Sequence, residues 1–176
     1  MILRDTQVDP KVGVDAAKAL VDLDGVQLLI GAVSSGVSMP ILTSVSVPSN
    51  VMQMSCCSSS TAFSKLAEEG GTNGLWYRTF ATTGVQAAVG AKVARDKGFK
   101  SVSILYKNDD WGQDLNRLIS RDFSSLGINV VNSVAINDGQ PSYKAEVTSA
   151  LAGNPDVLYL GLYPDEGTSA VREWLS

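Results

Sequence analysis

Ser101-Val102-Ser103-Ile104-Leu105-Tyr106 decides the fold through what stands on either side of it. Ahead of it, residues 85–97 carry alanines and valines at helical spacing and stop at Gly98. Behind it, residues 111–126 form a second helical pattern that stops at Gly127, and residues 128–134 return to an apolar strand pattern. Short apolar runs that alternate with amphipathic helices across Gly-marked loops predict right-handed crossover units and open parallel sheets. Residues 144–151 and 157–160 supply a further helix and strand, and residues 168–175 begin another helix.

The same rhythm runs back toward the N-terminus. Residues 26–30 are a continuous apolar run closed by Gly31, the pattern of a strand covered on both faces. Helices are expected over residues 11–22, 36–45 and 58–69, the first set up by Asp9-Pro10 and the last broken by Gly70-Gly71. Strands are expected over residues 2–4, 51–55 and 76–79. The fold class is therefore α/β, with open parallel sheets flanked by helices. Arg78-Thr79-Phe80-Ala81-Thr82-Thr83 has no glycine, so it reads either as a crossing between two sheets near Ala81 or as a loop within one sheet. The first reading gives lobes at 1–80 and 81–176. Because residues 2–4 read as a strand already under way, upstream structure is expected to be missing.

Composition excludes several functions. The chain has 176 residues, 44% of them hydrophobic and 18% charged, with a formal net charge of -4 and no histidine. Histidine-based nucleophile arrangements and imidazole metal sites are excluded. Residues 1–80 hold 5 basic and 7 acidic side chains and the remainder 9 and 11, so neither half offers a basic face to nucleic acid. No stretch is apolar for the ~20 residues a membrane helix needs. The GxGxxG, GxxxxGK[ST] and GxSxG signatures are absent, so no enzyme chemistry and no cofactor or metal is expected. The two cysteines, Cys56 and Cys57, are adjacent, which forbids an ordinary disulfide between them because bridge geometry would be strained, so they are expected to stay thiols or pack as small hydrophobes.

Between Gly25 and Ser64 there is no charged residue, yet the segment is dense in hydroxyls. Ser34-Ser35 follow the strand ending at Gly31, and residues 58–61 follow the strand ending at Ser55. Ligands gather at the carboxyl ends of strands in open α/β sheets, and hydroxyls with free N–H groups suit a carboxylate. The same serines also read as N-caps and loop residues. Tyr106-Lys107-Asn108-Asp109-Asp110-Trp111-Gly112 occupies the equivalent place further on. There Trp111 is either a lid over a ligand or a hydrophobic staple, with Asp109 or Asp110 as the N-cap. Asp165 and Glu166, after Tyr163-Pro164, are first-turn acids or partners for an amine.

Leu3 to Pro10, Ala19-Leu20-Val21 with Asp24-Gly25-Val26, Leu29-Ile30-Gly31, Ser34-Ser35, Tyr77-Arg78-Thr79, the 106–112 segment and Asn154-Pro155-Asp156-Val157 occur in a family order. Through them the chain resembles type I periplasmic binding proteins, in the branched-chain amino acid (leucine/isoleucine/valine) class of ABC-transporter substrate-binding proteins. The resemblance implies parts of two Rossmann-like lobes, the first lacking its initial strand and helix, with a small amino-acid-like ligand held between them. It implies that Ser34 or Ser35 and Ser58 or Ser59 hold the ligand's carboxylate and amino groups, that Trp111 covers it, and that a further contact falls at Leu162 or Tyr163. A periplasmic or extracytoplasmic location and an ABC permease partner follow from it, a sensor or receptor domain of the same fold being the alternative. The acidic residue that holds the ligand amine is expected beyond Ser176. Leu162 and Cys56-Cys57-Ser58 depart from the family pattern and leave the ligand open. With a first strand missing between residues 2–4 and 26–30, an apolar gap and self-association are also expected.

Overall fold

The computed structural model describes residues 1–175, and the chain divides into two compact units, Met1–Thr82 and the part from Thr83 onward. In the first unit, helix α1 (Pro10–Lys18) starts where Asp9 accepts a 2.8 Å hydrogen bond from the Val12 N–H and Pro10 takes the first helical position. It widens into a π-helical turn, Ala19–Leu23. Strand β1 (Leu28–Ile30), helix α2 (Ser35–Ile41) with the π-helical turn Leu42–Ser46, strand β2 (Met52–Ser55), helix α3 (Ala62–Glu68) and strand β3 (Trp76–Arg78) follow. The sheet is parallel in the order β1-β2-β3, with Leu29 opposite Gln53 and Met54 opposite Tyr77.

Ala17, Leu29, Val37, Ile41, Val45 and Val51 form the core of this unit. Gly13 lets α1 and α2 approach closely, since a Cβ there would lie 2.4 Å from Val37 Cγ1. On the sheet, Phe63 stacks on Trp76 with centroids 4.1 Å apart. Gln53, fully buried in β2, replaces lost water by donating to the Gly31 and Ser38 carbonyls (3.1 and 3.2 Å) and accepting from Ser46 Oγ (2.9 Å).

The structure departs from the sequence expectations in three places. Residues 2–4 form no strand, because among the described residues no strand lies beside them to pair with their backbone, and Ile2 and Leu3 are exposed. β1 is not covered on both faces: Leu29 is buried, but Leu28 and Ile30 point to solvent from an edge strand that has β2 on one side only. Residues 58–61 are loop, and the helix expected from Ser58 begins at Ala62. An apolar cleft of about 320 Å³ lies between residues 1–4 and β1, lined also by Ala17, Leu20 and Ile41.

In the second unit the elements are helix α4 (Thr83–Asp96), strand β4 (Ser101–Lys107), helix α5 (Asp110–Ser125), strand β5 (Asn129–Ile136), helix α6 (Lys144–Leu151), strand β6 (Val157–Gly161) and helix α7 (Pro164–Leu175). The sheet is again parallel, in the order β5-β4-β6. Ile104, Leu115, Ile119 and Phe123 fill one side of β4, and Leu105, Ile136, Val147 and Ala170 the other, which is why β4 is apolar along most of its length. Asp156 joins the starts of β4 and β6, accepting from the Lys100 and Ser101 N–H groups at 2.7 and 2.9 Å. The chain leaves β4 toward β5, then crosses back to place β6 on β4's other side. The carboxyl ends of β4 and β6 therefore lie at a reversal of strand order, the place where open α/β sheets bind ligands.

Candidate functional site

In the first unit the structure brings the two serine clusters together. β1 and β2 are adjacent and parallel, so the loops that leave their carboxyl ends meet. Ser34, Ser35, Ser58 and Ser59 are all buried. Ser35 Oγ accepts from the Ser60 N–H at 3.2 Å. Ser58 Oγ lies 2.8 Å from Ser38 Oγ, 3.2 Å from the Ala32 carbonyl and 3.1 Å from that of Val33, each within donating reach. Ser34 stands at the N-cap of α2, but its hydroxyl makes no capping bond, so the plain N-cap reading fails for it. These hydroxyls form a polar seam between two strand ends, with no acidic residue in the segment that builds it.

The charge at this seam comes from Arg78, which the sequence reading passed over. At the end of β3, its guanidinium donates to the Ser60 carbonyl (2.8 Å), the Ser58 carbonyl (3.4 Å) and Ser64 Oγ (2.7 Å). Arg78 thus straps the serine loop to the sheet and gives that end of the unit a positive field. The signal available in sequence was an arginine closing a strand that otherwise ends among hydroxyls.

In the second unit the candidate residues come from both sides of the strand-order reversal. Asp109 is the N-cap of α5, accepting from the Gly112 N–H at 2.8 Å, which settles the choice between Asp109 and Asp110. Burial pushes the Asp109 carboxyl above its usual range, although the Gly112 hydrogen bond and the Lys107 charge oppose that. Gly112 must be glycine: a Cβ there would fall 1.9 Å from the Lys107 carbonyl oxygen. The tight approach presents Trp111 beside Tyr163, from the loop after β6. Their rings stack with centroids 5.1 Å apart and planes 5° off parallel. Trp111 Nε1 donates to Gln86 Oε1 at 3.3 Å, and the Tyr163 hydroxyl to Asp109 Oδ2 at 3.4 Å.

Over the Tyr163 ring lies the ammonium of Lys107, whose role the sequence did not disclose. Its side chain is 4% exposed, with Nζ 5.0 Å from the Tyr163 ring centre and ion-paired with Glu166 at 3.1 Å and with Asp138. Burial alone would pull the ammonium's pKa down, but the hydrogen bonds and charges of Asp138 and Glu166 outweigh it and hold the pKa above its ordinary value. Glu166 is therefore the partner of an amine, and that amine is the protein's own. The arrangement locks Tyr163 between a cation, a carboxylate and an indole, so the ledge is rigid. Among the described residues no group of three or more His, Cys, Asp or Glu side chains could hold a metal ion, and no helix is long and apolar enough to cross a membrane. The apolar cleft beside β1 is lined by none of the six predicted site residues.

Known proteins share this fold. The Leu/Ile/Val-binding protein BraC3 of Rhizobium johnstonii is 31% identical over 173 residues, covering 97% of this chain and 45% of its own length. A chemotactic signal transduction system substrate-binding protein, BasB, of Halobacterium salinarum is 27% identical over 177 residues, 98% of this chain and 41% of that protein. The crystal structure of a leucine binding protein, LivK, of Thermotoga maritima superposes with a TM-score of 0.86 at 24% identity, covering 99% of this chain and 48% of the other. The chain spans about half the length of the curated relatives it matches. A family profile described as periplasmic binding protein matches residues 1–174, from the Met1–Arg4 segment through both parallel sheets to α7. With both sheets and both strand-end clusters inside that match, the chain belongs to the periplasmic binding protein family.

Proposed function

We propose that this chain is the solute-binding component of an ABC transport system, that it takes an amino acid or a similar small carboxylate outside the cytoplasm, and that it delivers the solute to a membrane permease without chemical change. The observation that carries the reading is the buried hydroxyl seam at the ends of β1 and β2, free of acidic residues and backed by the Arg78 guanidinium. Such a seam suits a carboxylate, because hydroxyls and backbone N–H groups donate to it while the nearest formal charge is positive. The rigid Trp111–Tyr163 ledge suits an apolar or aromatic side chain, because stacked rings present a large face at small entropic cost. The likeness to a Leu/Ile/Val-binding protein favours branched-chain amino acids as the first solutes to try.

Calorimetric titration with leucine, isoleucine, valine and 4-hydroxybenzoate tests this. Binding of at least one is expected, and Trp111→Ala should weaken it by about 1–3 kcal/mol, the range in which large aromatic contacts dominate a site. Unchanged affinity together with lowered thermal stability would return Trp111 to a purely structural role. A second reading, a sensory substrate-binding protein, is favoured by the likeness to a chemotactic one. Deleting the gene separates the two: lost uptake of labelled solute supports transport, and lost chemotaxis with intact uptake supports sensing.

A further inference from the structure

Successive side chains of an extended strand point to opposite faces, so neighbouring cysteines in a strand hold their sulfurs apart. Cys56 and Cys57 escape that rule because the chain leaves β2 at Ser55 and bends at both cysteines. Ser55 is anchored, with Oγ donating to the Ala32 carbonyl at 2.5 Å and accepting from the N–H groups of Cys57 (3.2 Å) and Ser58 (3.0 Å). The bend therefore has fixed points before and after it, and it turns both side chains to one side. The Sγ atoms lie 2.8 Å apart, with Cys56 exposed and Cys57 half-buried. This is inside the roughly 3.5–4.0 Å at which non-bonded carbons rest, and sulfur is larger than carbon. About 0.75 Å of further approach would bring them to bonding distance.

We propose that Cys56 and Cys57 are a reversible redox site, a dithiol that closes to a vicinal disulfide by exchange with a small-molecule disulfide. Cys56, the exposed thiol, attacks as the thiolate. Its sulfur bonds to one sulfur of the oxidant, the oxidant's S–S bond breaks, and the departing thiolate takes up the proton Cys56 gave to solvent. Cys57 keeps its proton at this stage, since its hydrogen bond to Cys56, then burial, then the Cys56 charge raise its pKa. Capping Cys56 removes the first and third of these causes, and Cys57 then gives its proton to solvent. The Cys57 thiolate then attacks Cys56 Sγ, breaks the mixed disulfide and expels the second half of the oxidant as a thiol. Two protein thiols are oxidised and one disulfide is reduced to two thiols. The ring contains only the two side chains and the peptide bond between them, so it constrains the unfolded chain very little and is not a staple. Exposure leaves the bond open to exchange in either direction. The proposal departs from the expectation that the two side chains stay unbridged: adjacency allows the bond only as a small strained ring, and the bend brings the sulfurs within reach of it.

The test uses the reduced chain in a series of oxidised-to-reduced glutathione ratios, with acid quench, alkylation and intact-mass measurement. The expected product at the oxidising end is a monomer that has lost the mass of two hydrogens and both reactive thiols, and that dithiothreitol restores. The Cys57→Ser variant should stop at the glutathione adduct on Cys56. Persistent glutathione adducts on the native chain, a disulfide-linked dimer, or two thiols still open to alkylation at the oxidising end would each overturn the proposal. The native-chain measurement decides the matter even where the variant folds poorly.

Discussion

Replacing Lys107 with methionine removes a buried cation while leaving most of the side-chain volume in place. Glu166, its 3.1 Å partner, is 12% exposed and would be left as a buried carboxylate with no counter-charge, and among the described residues its Oε2 has no hydrogen-bond partner to begin with. Asp138 is 59% exposed and would rehydrate, so it adds little. Breaking a buried pair by removing one partner costs about 3–5 kcal/mol, and the exposure of Asp138 puts this case near the lower end. A loss of about 3 kcal/mol corresponds to a fall in melting temperature of roughly 6–12 °C for a chain of this size. The raised Lys107 pKa means that the wild-type interaction is fully present below the ordinary lysine pKa and is lost only as pH climbs through the folded-state value, so neutral pH is the correct place to measure. Circular-dichroism melts of Lys107→Met, Glu166→Gln and the double variant form a cycle. The double variant should recover much of the loss, because a neutral amide in place of the Glu166 carboxylate no longer needs the cation. A cost below about 0.5 kcal/mol for Lys107→Met, or strict additivity in the cycle, would refute the account of Lys107 as the counter-charge that holds Glu166 and Tyr163 in place.

Gly112→Ala should destabilise the second unit by more than the ~1 kcal/mol that a helix alanine ordinarily gains over glycine, because its Cβ would collide with the Lys107 backbone, and chemical denaturation should show the loss directly. Asp109→Asn should be neutral to stabilising at pH 7. Asparagine caps as well as aspartate, and the raised Asp109 pKa means the folded state binds the proton more tightly, so wild-type stability falls as pH rises through the carboxylate range. The gap between variant and wild type should therefore close as pH drops toward about 4, and a gap that widens on acidification would reverse the sign of the argument.

The sequence by itself determined the class of fold, because its signals are local. The apolar period of β4, the glycines after α4 and α5, and Asp9-Pro10 before α1 each act within a few residues. It also placed the serines and Trp111 after strands, since that too depends on chain order alone. Where it went astray, the missing quantity was a spatial neighbour. Residues 2–4 and β1 have the composition of buried strand, but a strand is made by its neighbours: among the described residues none pairs with residues 2–4, and β1 has β2 on one side only. The Asp156 motif was legible as a family mark, yet its work of joining the starts of β4 and β6 across more than fifty residues was not. Tertiary structure alone decided that β6 lies on the opposite side of β4 from β5. That order brings Tyr163 and Glu166 to Lys107 and Trp111, and turns two distant segments into one charged and stacked ledge. Arg78 and the facing sulfurs of Cys56 and Cys57 belong to the same category. Their partners are fixed by how strands leave the sheet, a geometry that periodicity cannot encode because it carries no information about which strand lies next to which.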